Sequence, residues 1–184
     1  MDTEGVMMSK LSQGLIQIYT GDGKGKTTAA FGLAIRAVGH GFRVYIIQFM
    51  KGKDDTGELG GLKRLMPECQ IEHFGGLGWV HKGELQEDHL QEARKGFLKA
   101  QEVVLSGEWD IVILDEIINA LWFGLISEND VLELLSKKPS HVELVLTGRN
   151  ASPALIEKAD LVTEMVQKKH PFEQGVMARQ GIEY

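Results

Sequence analysis

The chain has 184 residues, enough for one domain with a substantial core. Its 26 acidic and 20 basic residues give a net charge of −6, which argues against sequence-independent binding to nucleic acid but leaves room for a local basic groove. The lone Cys69 excludes an internal disulfide and a cysteine metal cluster, the start Met1-Asp2-Thr3-Glu4 lacks the basic and apolar regions of a signal peptide, and no apolar run approaches membrane-spanning length, so the expectation is a cytoplasmic protein without membrane contact.

Residues 1–13 are polar and read as a flexible arm ahead of a single domain over 14–184. An apolar run predicts a first strand over 15–19. Ala29, Ala30, Phe31, Leu33, Ala34 and Ile35 place a helix over 26–38, stopped by Gly39 and Gly41. Residues 44–49 are rich in apolar and β-branched side chains, as in a strand covered on both faces. The charged, glycine-rich 52–61 reads as a surface loop, followed by a short helix over 61–66 and a strand over 71–74. A second loop, Gly75-Gly76-Leu77-Gly78-Trp79, leads to a long helix over 84–105. Its Leu90, Ala93, Phe97, Ala100 and Val104 fall 3, 4, 3 and 4 residues apart, which makes one stripe. Residues 111–114 form a short apolar strand, and Ser127 with Asp130 resembles a helix start before 131–135. A strand over 143–147, a helix opened by Ser152 and Pro153, and a last strand over 161–166 complete the chain.

One stretch carries the chemistry: Tyr19-Thr20-Gly21-Asp22-Gly23-Lys24-Gly25-Lys26-Thr27-Thr28. It lies between the first strand and the first helix, where a phosphate-binding loop belongs. Gly21, Gly23 and Gly25 let backbone N–H groups converge on an anion without Cβ clashes, and the helix adds the positive end of its dipole. Lys26 would reach phosphate oxygens, and the Thr27 hydroxyl would hold Mg²⁺, with Asp22 and Thr28 also on the loop. Against the usual G-x-x-x-x-G-K-[ST] pattern, Thr20 stands where the first glycine belongs, or the loop is one residue short. Strands and helices then alternate to the end of the chain. This predicts a three-layer α/β fold: a mainly parallel sheet with helices on both faces, of the P-loop NTPase (RecA-like) kind, with ligands at the carboxyl ends of the strands.

Ile111-Val112-Ile113-Leu114 followed by Asp115-Glu116 describes a buried strand that delivers two carboxylates at its carboxyl end. Beside a phosphate loop, Asp115 and Glu116 support Mg²⁺ directly or through water, and Glu116 could serve as a base. The competing reading is a capping pair at a strand–helix junction. Lys24 reads either as a solvated side chain or as added charge against a polyphosphate. Arg149, just past a strand end, is either a turn residue or a fork for phosphate. Trp79 sits among glycines and is a candidate to pack on a flat ligand, whereas Trp122 and Phe123 read as core. The six histidines form no metal motif.

The loop, extended through Ala29-Ala30-Phe31-Gly32, together with Arg36-Ala37-Val38-Gly39-His40-Gly41 and Gln48-Phe49-Met50-Lys51-Gly52, resembles the P-loop class of ATP:corrinoid adenosyltransferases. Leu114-Asp115-Glu116, Leu146-Thr147-Gly148-Arg149, Lys169-His170-Pro171-Phe172 and the ending Gly181-Ile182-Glu183-Tyr184 agree with it. The resemblance implies a transferase that uses ATP and Mg²⁺ (or Mn²⁺) and takes a corrinoid as substrate. Co(I) would attack the 5′ carbon of ATP and release triphosphate, in adenosylcobalamin biosynthesis or salvage. It further implies a nucleotide with its terminal phosphate in the loop, a homodimer, and a flavodoxin-type or flavin reductant. Trp79 matches an aromatic position that keeps water from the lower face of the corrin; Leu77 stands where some members carry phenylalanine. Two alternatives remain open: a P-loop NTP hydrolase or kinase, told apart by orthophosphate and ADP as products, and a nucleotide- or corrinoid-binding carrier without turnover. The chain lacks the Asp-x-His-x-x-Gly motif of corrinoid carriers.

Overall fold

A computed structural model of the chain describes residues 11–51, 57–76 and 86–183. Six strands, β1 (Ile16–Thr20), β2 (Val44–Phe49), β3 (Cys69–Phe74), β4 (Ile111–Asp115), β5 (Glu143–Thr147) and β6 (Leu161–Glu164), form one sheet in the order β3-β2-β4-β5-β1-β6. Every pairing is parallel. The helices are α1 (Lys26–Val38), α2 (Gly57–Leu62), α3 (Glu87–Ser106), α4 (Ile117–Trp122), α5 (Glu128–Lys137) and α6 (Pro153–Lys158).

The period-2 alternation of the strands sorts side chains onto two cores. Ile46, Ile113 and Val145 meet Ala30, Phe31, Ala34 and Ala37 of α1 on one face. Ile47, Leu114, Leu144 and Leu146 meet Phe97, Ala100 and Val104 of α3, Ile118 of α4 and Leu134 of α5 on the other. Each of β2, β4 and β5 is therefore buried along its whole length. That explains their nearly unbroken apolar sequences.

Several elements depart from the sequence expectation. The short helix near 61–66 instead spans Gly57–Leu62 and ends in a 3₁₀ turn at Lys63–Leu65. Burial of Leu59 and Leu62 fixes it there despite three glycines. β3 starts at Cys69, whose side chain is buried, two residues before the expected position. β6 stops at Glu164 rather than at 166, because Met165 turns onto the loop after β1: its N–H donates to the Thr20 carbonyl (2.8 Å) and its carbonyl accepts from the Gly23 N–H (2.6 Å).

Trp122 is a correction. Expected in the core, it is 48% exposed, because α4 presents Ile117, Ile118 and Ala120 inward and turns Trp122 outward. Phe123 is half-buried and packs against the larger core. Residues 1–10 of the proposed arm and residues 77–85, with Leu77 and Trp79, lie outside the described residues; the helix expected over 84–105 begins at Glu87, after the extended Gln86. Within the domain, Gly14 donates its N–H to the Ser140 carbonyl at 2.7 Å, and Leu11 packs against the α1-side core.

Candidate functional site

The loop Gly21–Gly25 leaves β1 and enters α1 with its glycines in place for a close backbone approach. A Cβ on Gly21 would lie 2.5 Å from the Met165 carbonyl oxygen, and one on Gly23 would lie 2.7 Å from it. Gly25, the N-cap residue of α1, has φ 120°, a conformation that favours glycine. No acidic side chain lies in the first turn of α1, so the positive helix end is uncompensated and available to an anion.

Lys26 is nearly buried and curls over its own loop. Its Nζ donates to the Gly21 carbonyl (2.7 Å) and the Gly23 carbonyl (2.9 Å). Burial, reinforced by the Arg149 charge, pushes its pKa below the ordinary lysine value. An anion among these groups would favour the charged ammonium.

The carboxyl end of β4 supplies the opposite side. Asp115 is fully buried and both its oxygens are engaged: the Gln48 amide donates to Oδ2 (2.8 Å) and the Thr147 hydroxyl to Oδ1 (2.7 Å). Thr147 in turn accepts the Glu116 N–H (2.9 Å). Glu116 has φ 62° and swings its carboxylate into the cleft beside the loop, where the Asn119 amide donates to it. Burial and the neighbouring Asp115 raise the Glu116 pKa; Lys51, Lys26 and Arg149 act against that rise. Asn119 also accepts the Arg149 N–H at 2.6 Å, so one side chain positions both Glu116 and the turn after β5. Arg149 extends its guanidinium toward Asp22, 3.8 Å away.

These residues line a cleft of about 480 Å³ that takes in Asp22, Gly23, Lys24, Gly25, Lys26, Thr27, Thr28, Glu116 and Arg149. The structure thus brings together the site residues read from the sequence except three: Trp79 lies outside the described residues, Asp115 sits below the floor, bonded to Gln48 and Thr147, and Gly21 lies behind the lining, where its carbonyl accepts from Lys26. Lys24 is not a free solvated side chain: its Nζ donates to the Ile182 carbonyl (2.7 Å) and lies 3.3 Å from Glu183.

Sequence reasoning missed several residues in and behind the cleft. Lys51 could have been found, since it follows the carboxyl end of β2. Asn119 could have been found from its i+3 spacing to Glu116 on a helix. Glu58 of α2 carried no signal. It reaches the cleft with a buried Oε2 that has no hydrogen-bond partner among the described residues.

Thr27, Glu116 and Glu58 offer hard oxygen donors of the kind Mg²⁺ takes, and the orphaned Glu58 oxygen fits such a cation. Among the described residues no group of three or more His, Cys, Asp or Glu could hold a metal ion, so phosphate oxygens would have to complete the shell.

A solved KaiC-like protein from Pyrococcus horikoshii OT3 has the same fold at a TM-score of 0.54, covering 87% of this chain and 76% of that one at 16% identity. The fold is that of P-loop NTPases, as the sequence predicts. A family model described as "ATP:corrinoid adenosyltransferase BtuR/CobO/CobP" matches residues 12–184. The chain is 40% identical to a corrinoid adenosyltransferase of Sinorhizobium sp., over 98% of this chain and 86% of that protein. It is 34% identical to those of Pseudomonas aeruginosa and Escherichia coli K12, over 98% and 97% of this chain and 89% and 90% of theirs. With the cleft's residues all inside the matched span, this chain belongs to the ATP:corrinoid adenosyltransferase family.

Proposed function

We propose that this protein transfers the 5′-deoxyadenosyl group of ATP to the cobalt of a Co(I) corrinoid and releases triphosphate, within cobalamin metabolism. The observation that carries this reading is the family match over residues 12–184, which spans the whole phosphate-binding cleft. In the reaction, the electron pair of Co(I) forms the cobalt–carbon bond to C5′. The C5′–O bond breaks, and its pair leaves with triphosphate.

Co(I) is a strong nucleophile, so the protein need not activate it. Its work is to hold C5′ in line and to stabilise charge on the leaving polyphosphate. The α1 N-terminus and the loop amides of Gly21–Thr28 cradle the phosphates. Lys26 exchanges its two carbonyl partners for phosphate oxygens, and Lys51, Lys24 and Arg149 add positive charge around them. Mg²⁺ (or Mn²⁺), when bound, neutralises the polyphosphate; Thr27 and Glu116 would hold it, with Asp115 behind and Glu58 as a further donor. Trp79 would shield the lower face of the corrin from water. The protein works in the cytoplasm as a homodimer, with a flavodoxin-type or flavin reductant supplying Co(I).

Incubation with ATP, Mg²⁺ and chemically reduced corrinoid tests the reading. A light-sensitive alkylcobalt spectrum with one triphosphate per cobalt supports it. ADP with orthophosphate would mark a hydrolase instead.

A further inference from the structure

The cleft has two unlike walls. One is the cationic wall already described. The other comes from the C-terminal segment, with His170, Phe172, Glu173, Ile182 and Glu183 facing the loop. This second wall suits phosphate badly: it brings two carboxylates, an aromatic ring and an apolar side chain. Those are groups that recognise a neutral nucleoside. A π-face packs on a base, and the Glu173 carboxylate can accept a hydrogen bond from a ribose hydroxyl or an exocyclic amine, Glu183 being taken up by Lys24 and Arg179.

The segment is held to the loop. Lys24 bonds the Ile182 carbonyl and pairs with Glu183, and Arg179 grips the same Glu183 through Nε and Nη2 (3.3 and 3.1 Å). Phe172 follows Pro171 in a 3₁₀ turn, Pro171–Gln174. Its N–H donates to His170 Nδ1 (3.2 Å), and its carbonyl accepts the Gly175 N–H (2.9 Å). The turn is fixed, yet the ring is 66% exposed on the wall of the cleft. A large apolar ring presented this way, opposite a polyphosphate cradle, is placed to take a flat ligand group.

We propose that the segment from His170 to Glu183 is the nucleoside wall of the ATP site, and that Phe172 is the face on which the adenine ring packs. The proposal rests on the reading that the triphosphate occupies the Gly21–Thr28 loop. It gives a role to the Lys169-His170-Pro171-Phe172 motif and to the chain's ending, neither of which the phosphate chemistry uses.

The test compares ATP with inorganic tripolyphosphate, each with Mg²⁺, binding to the full-length protein and to Phe172→Ala and Phe172→Trp. Because the ring is exposed, both variants keep the wild-type melting temperature. Phe172→Ala should weaken ATP about tenfold or more while tripolyphosphate affinity stays within about twofold, and Phe172→Trp should restore ATP binding. Unchanged ATP affinity in Phe172→Ala, or equal loss for both ligands, overturns the proposal and leaves the loop assignment standing. Failure of the wild-type protein to bind tripolyphosphate overturns the loop assignment and the proposal together.

Discussion

Lys26 and Glu116 are both held in environments that disfavour their charged forms, and each has a reason to stay. Lys26 without an anion satisfies itself on two backbone carbonyls of its own loop. Lys26→Ala removes a charge that burial disfavours, at the cost of two hydrogen bonds to loop carbonyls, so the fold survives. Triphosphate release should fall about 10²–10³-fold, in line with loss of one charge stabiliser; wild-type turnover in that variant would refute the assignment. For Glu116 the sign works as follows. Its folded pKa lies above the unfolded glutamate value, so folding takes up protons, and the stabilising contribution is full below the unfolded pKa and lost as pH rises through the folded one. At pH 7, above the unfolded glutamate value, the raised pKa therefore costs the unliganded protein stability. Glu116→Gln should raise the melting temperature by about 2–4 °C at pH 7, with the gain shrinking below the unfolded glutamate pKa, while turnover collapses. A melting temperature that falls at pH 7 would contradict this account of the site.

At the level of elements, the best-read segments were those whose patterning and burial agree. Residues 26–38, 44–49 and 143–147 were expected as one helix and two strands, and α1, β2 and β5 occupy those residues. Their signals are local: an alanine-rich amphipathic run closed by glycine, and apolar strands buried on both faces. The helix at Gly57–Leu62 was misplaced because its position depends on where Leu59 and Leu62 find the sheet, which overrides glycine's poor propensity. The end of β6 was misread because Met165 leaves the ladder for the loop, a contact between residues more than 140 apart in sequence. That contact makes Gly23 structural as well as chemical. Gly23→Ala would drive a Cβ against the Met165 backbone and should lower stability by about 1–3 kcal/mol, with loss of nucleotide binding. Gly32→Ala, on the exposed side of α1 with open space around it, should instead raise stability by about 0.5–1 kcal/mol in the same denaturation assay. Equal effects of the two substitutions would deny the loop–β6 contact any importance.

Across the whole molecule, one end of the sheet gathers the groups that the proposed chemistry uses. β1 brings the phosphate loop, β2 brings Gln48 and Lys51, β4 brings Asp115 and Glu116, and β5 brings Thr147 and Arg149, all at their carboxyl ends. This is the place where parallel α/β sheets bind ligands. The loop and the Asp115-Glu116 pair were legible because each is a contiguous motif. Glu58 and the tail wall were not, since only the packed fold sets them opposite the loop. A second hollow of about 530 Å³ beside Trp122 is similar in size to the cleft but contains none of the loop residues, so size alone does not single out the cleft. On the corrin side, Trp79→Ala should slow reaction from Co(II) plus reductant more than reaction from preformed Co(I). Equal losses in the two assays would remove Trp79 from the task of excluding water.

The central claim is that the loop after β1 grips the phosphate tail of ATP and leaves C5′ open to attack by cobalt. Phosphorus NMR of a single-turnover reaction with Co(I) corrinoid tests it most directly. The account predicts intact triphosphate appearing in step with the alkylcobalt absorbance, and both slowed about 10²–10³-fold in Lys26→Ala. Orthophosphate and ADP in place of triphosphate, or triphosphate formed equally well without Lys26, would contradict it.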